Sequence, residues 1–136
     1  MRKTLLALTA VLLCVLTVGC HVTAAAPPPL PTGAYDQTDA KANEFLQAAH
    51  GFSQTVSAGK LTATQASILN KLNIALNAAD TAEQTYHTCL INSGVAPSAT
   101  ASANPGCLAT SGLTGLLSAA QAAFGNAQAA ITPTAP

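Results

Sequence analysis

The residues able to do chemistry are few. The histidines are His21, His50 and His87, and the acids are Asp36, Asp39, Glu44, Asp80 and Glu83. Asp80 and Glu83 are three apart, and His87 follows four residues after Glu83. On a helix that spacing puts all three on one face, the nearest approach in the chain to a cation-binding constellation. The plainer expectation is a solvated i,i+3/i+4 cluster whose acids support a protonated histidine, with no metal and no cofactor. His50 and His87 are not expected to share a metal. A helical hairpin turning near residue 60 sets residue i opposite roughly 120 − i, so His50 faces the region of Asn70. That is some 17 residues from His87, or ~25 Å along a helix rising 1.5 Å per residue. Both histidines are therefore expected on helix flanks, partly exposed. No nucleophile, base and orienting acid occur together, no glycine-rich phosphate loop follows a strand, and H-E-x-x-H is absent. The sequence predicts no enzyme.

The elements that carry these residues read as helices. No proline occurs between Thr32 and Ala96. Tyr35, Thr38, Ala42, Phe45, Ala49, Phe52 and Val56 alternate in steps of 3 and 4, a sustained helical stripe, with Lys41, Glu44, Gln47 and Gln54 off it. Ala58-Gly59-Lys60-Leu61 reads as a stop, with Gly59 free to take φ > 0 and Leu61 to fold back. Gly51 costs about 1 kcal/mol inside this helix, a cost that close approach of a neighbouring helix would explain. Thr62-Ala63-Thr64-Gln65 has the form of a capping box. Leu69, Leu72, Leu76, Ala79, Glu83, Tyr86 and Leu90 make the second stripe, broadened by Ile68 and Ala75, and Asn92-Ser93-Gly94-Val95 ends it. Val95 to Gly106 reads as a loop. Leu113, Leu116, Leu117, Ala120, Phe124, Ala127 and Ile131 form a third stripe, stopped by Pro133 and weakened by Gly112, Gly115 and Gly125. The predicted fold is all-α: an antiparallel three-helix bundle over about 34–58, 62–92 and 108–132, within a helical domain of residues 34–136.

The N-terminus carries a different kind of signal. Met1-Arg2-Lys3 is a basic start, and Thr4 to Val18 is an apolar run too short for a comfortable membrane span. Leu16-Thr17-Val18-Gly19-Cys20 closes it and resembles the lipobox of bacterial lipoproteins. Thr17 stands where the family usually has Leu, with Leu16 one place earlier. The resemblance covers the first twenty residues and implies cleavage between Gly19 and Cys20, with Cys20 lipidated through its sulfur. Residues 1–19 are then a signal peptide. The competing cut after Ala26 leaves Pro27 on its carboxyl side, where a missing N–H and fixed φ suit an extended protease subsite poorly. His21 rather than Asp after the cysteine implies sorting to the periplasmic face of the outer membrane in a two-membrane host. Residues 20–33 hold Pro27, Pro28, Pro29 and Pro31 and are expected to form an extended tether of ~3 Å per residue.

In such a compartment disulfides form and persist. With Cys14 removed and Cys20 lipidated, Cys89 and Cys107 remain, and a structural disulfide between them is expected. The loop so closed gains roughly 3 kcal/mol in the chain-entropy model, and the pair lacks the CxxC spacing of a metal or redox site. Residues 20–136 keep Lys41, Lys60 and Lys71 and no arginine, against five acids, a net of −2. Three scattered lysines make no basic patch, which excludes nucleic-acid binding. The expected function is a membrane-anchored envelope lipoprotein with a non-catalytic helical module that binds an envelope partner or its own copy. The alternatives are a binder of a small molecule, lipid or ion, and a phage-derived or lysis-associated small lipoprotein.

Overall fold

The computed structural model describes residues 33–131. The lipobox-like stretch, Cys20 and the proline-rich tether lie outside the described residues. The described chain is all-helical, with four helices: α1 Gln37–Ser57, α2 Ala63–Asn92, α3 Pro105–Ser111 and α4 Leu113–Ala130. It contains no strand. The long α2 packs against each of the other three.

Each helix boundary has a local cause. α1 begins at Gln37 rather than 34 because Asp36 is its N-cap, with the carboxylate accepting the Thr38 and Asp39 N–H groups. Its end differs from the expected glycine stop: Ala58 caps it in the right-handed region, and Gly59 does not take a positive φ. The capping box at α2 forms, with Thr62 and Gln65 bonding reciprocally. Its C-terminus is a Schellman motif: Gly94 at φ 68° lets the Val95 N–H reach Leu90 O, and the Gly94 N–H reach Ile91 O. Val95 and Leu90 share one apolar cluster, the contact this motif favours.

The expected third helix over 108–132 is two helices. Asn104 caps α3, with Pro105 at its first position. Gly112, at φ 64°, then ends α3 in the left-handed region, and α4 starts at the next residue, bent by 61° from α3. No single helix among the described residues is long and apolar enough to cross a membrane.

The core lies in two apolar clusters. Leu46, Leu69, Leu72, Leu76, Ala120 and Ile131 belong to the first, with Phe124 edge-to-face between Phe45 and Phe52 at 5.8 and 5.3 Å. Tyr86, Leu90, Cys107 and Leu113 belong to the second. The Cys89–Cys107 disulfide is closed, tying the last turns of α2 to the first turn of α3. All seven residues of the predicted α2 stripe are buried. On α1 the buried face is Asp39, Ala42, Leu46, Ala49, His50 and Ser53, so Phe45, Phe52 and Val56 sit at its edge, partly buried. The rotation brings polar side chains inward, where α2 presents polar partners.

Candidate functional site

Four of the five acids, Asp36, Asp39, Asp80 and Glu83, are buried, together with His50 and His87. The expectation of a solvated Asp80/Glu83/His87 cluster and of partly exposed histidines is thus corrected. Burying an ionisable group without partners is costly, and these side chains are used as pairs across the α1–α2 interface. Moving along α1 from its cap, the Tyr86 hydroxyl donates to Asp36 Oδ2, and His87 Nδ1 lies 3.0 Å from Asp39 Oδ2. Asn43 Nδ2 donates to Glu83 Oε1 at 3.0 Å. His50 Nε2 meets Asp80 Oδ2 at 2.8 Å, and Ser53 Oγ donates to Asn73 Oδ1 at 2.6 Å. The result is a ladder of five polar rungs.

The ladder also corrects the expected register. Asp39–His87, Asn43–Glu83 and Ser53–Asn73 are all centred on residue 63, not 60. Side chains lean toward the N-terminus of their own helix. On α1 that is away from the turn and on α2 toward it, which raises the number of the α2 partner. His50 reaches further still, meeting Asp80 in a pair centred on 65 rather than the Asn70 region.

The ladder reaches beyond the two helices at one end. Asp39 Oδ2 accepts the Tyr35 N–H at 2.8 Å, and the Tyr35 ring stands edge-on to His87, 4.9 Å between centroids. The Asn104 N–H donates to the Tyr86 hydroxyl. The Gln37 N–H donates to Ala101 O, so the loop before α3 is laced to the start of α1.

Donors run short in the middle. Among the described residues, Glu83 Oε2, Asp80 Oδ1 and Asn43 Oδ1 are buried with no hydrogen-bond partner. A buried acceptor left in this way costs about 1–3 kcal/mol. Burial, followed by the adjoining Asp39 carboxylate, pushes the Glu83 carboxyl up to about 8. Burial also raises Asp80, with His50 opposing the shift. Tyr86 is pushed up to about 12 by burial and by its bond to Asp36. Asp39, Glu83 and His87 each offer a metal-ligand atom, and these atoms lie within 4.8 Å of one another. The predicted face of Asp80, Glu83 and His87 is thus split: Glu83 and His87 turn to Asp39, and Asp80 turns to His50. Asp36 and Asp39 were missed as site residues. Their signal was two acids at the start of a helix stripe, which reads equally well as ordinary capping.

The remaining surface is plainer. Lys41, Lys60, Lys71 and Glu44 are exposed. A shallow depression lined by Thr81, Gln84, Thr85, Thr88, Cys89 and Asn92 runs along the outer face of α2. The chain matches no family model, no curated protein and no solved structure.

Proposed function

We propose that this is a lipid-anchored envelope protein whose helical domain is a non-catalytic interaction module, held off the bilayer by a proline-rich tether. The observation that carries the reading is Leu16-Thr17-Val18-Gly19-Cys20, with a basic start before it and Pro27-Pro28-Pro29 behind it. The Cys89–Cys107 disulfide supports it, because such bonds persist in exported proteins and are rare in reducing compartments. Two or more acyl chains on Cys20 anchor stably, where one gives only marginal binding. The outer face of α4 offers the module's contact surface. Gly115, Leu116, Ala119, Ala122 and Gly125 are exposed there, so a partner helix can approach closely. The partner is another envelope component or a second copy of the chain.

The test compares wild type with Cys20→Ser in cells fed labelled palmitate, followed by membrane fractionation and crosslinking. The wild type is expected to carry label, to sediment with membranes and to crosslink to one reproducible neighbour. Cys20→Ser is expected to lose the label and the membrane association. An unlabelled, soluble wild-type protein would remove the reading.

The ion-binding alternative gains a specific observation from the cluster of Asp39, Glu83 and His87.

A further inference from the structure

The geometry points to a divalent transition-metal site between α1 and α2, with Asp39, Glu83 and His87 as its protein ligands. Three observations carry it. First, the donor set is built by two helices and lies inside the protein: Asp39 and Glu83 are fully buried and His87 is 7% exposed. Second, Glu83 uses one oxygen to accept from Asn43, and its other oxygen has no partner. A buried oxygen of this kind, beside a second carboxylate and an imidazole, is met either by a proton or by a cation. Third, the donor atoms are already close. His87 Nδ1 is 3.0 and 3.2 Å from the two Asp39 oxygens. The edge of a tetrahedral site with bonds of ~2.0 Å is about 3.3 Å. Glu83 completes the set within 4.8 Å and must draw in to bind.

The chemistry of the set limits the ion. Two carboxylates neutralise a divalent charge, and one imidazole nitrogen with two oxygens suits zinc, iron or manganese better than the all-oxygen cage that calcium prefers. The surroundings hold the ligands in place. The Tyr35 N–H fixes Asp39, the Tyr35 ring stands edge-on to His87, and Asn43 holds the far oxygen of Glu83. For a metal to bind, Nδ1 of His87 and the Glu83 carboxyl must both be free of protons, so uptake is expected to strengthen as pH rises.

The test titrates Zn²⁺ alone into the full chain extracted in detergent, measuring uptake and the thermal midpoint. The wild type is expected to take up one equivalent and to melt higher as Zn²⁺ rises, by mass action. Glu83→Gln keeps the bond to Asn43, and His87→Gln keeps a polar side chain. Each is expected to weaken uptake roughly tenfold or more, with helix content by circular dichroism showing that the fold persists. His21→Ala is expected to bind as wild type does. No saturable uptake by the wild type would overturn the proposal. Uptake unchanged in both Glu83→Gln and His87→Gln would overturn it equally. Neither result touches the lipid anchor, which the palmitate experiment reads separately.

Discussion

At Glu83, burial and the neighbouring Asp39 carboxylate act in the same direction. The folded carboxyl is raised from 4.5 to about 8. Between these values the unfolded chain has released the proton that the native state retains, so native stability falls as pH rises through this window. Raised Asp80 adds to the same trend. Glu83→Gln carries no such proton. Urea unfolding is expected to show the variant gaining on wild type as pH goes from 5 to 8, with the gap closing at the acid end. A gap constant with pH would contradict the assignment. A second prediction concerns His50 and Asp80, where removing one partner strands the other. Asp80→Ala is expected to cost about 1–3 kcal/mol, whereas replacing both residues with apolar side chains of similar volume is expected to cost far less. The pairing of these residues was not legible in the sequence. An aspartate on a helix face reads as solvated unless its partner, here 30 residues away, is known to lie opposite. That depends on a register that a shift of a few residues destroys.

At the scale of the element, stripe and cap were legible where a periodic apolar pattern met a local motif. The α2 stripe from Leu69 to Leu90, the Thr62 capping box and the glycine stop at Gly94 all formed, because each depends on neighbours within a turn or two. The third stripe, Leu113 to Ile131, runs along α4 to its cap, but the helix expected to start at 108 is broken, because the backbone at Gly112, with φ 64°, bends the chain there. Glycine function is accordingly position-specific. Among the described residues, a methyl group at Gly51 would meet nothing within 4 Å, so none of their helices approaches it closely, contrary to the reason offered for its place in α1. Gly125 in α4 is equally open. Gly51→Ala and Gly125→Ala are each expected to raise stability by about 1 kcal/mol. Gly112→Ala is expected to lower it, because only glycine takes that φ without strain. Chemical denaturation of the three variants checks the opposite signs. Reducing the Cys89–Cys107 bridge frees the joint between α2 and α3 and is expected to cost roughly 3 kcal/mol.

At the scale of the whole molecule, charge is spent inside. The described surface keeps three lysines and one glutamate, so the net charge of −2 read from the sequence hides an outer face with more cations than anions. The core is thin, two apolar clusters built largely of leucine and alanine together with a buried polar ladder. On the reading proposed above, the attachment of this domain depends on Cys20. Lipidation at Cys20 is tested most directly by mass spectrometry of the N-terminal peptide of the protein purified from its host. The expected chain begins at Cys20, with a diacylglycerol mass on that residue. A free N-terminus at Pro27, or an unmodified Cys20 inside an uncleaved chain, would contradict it.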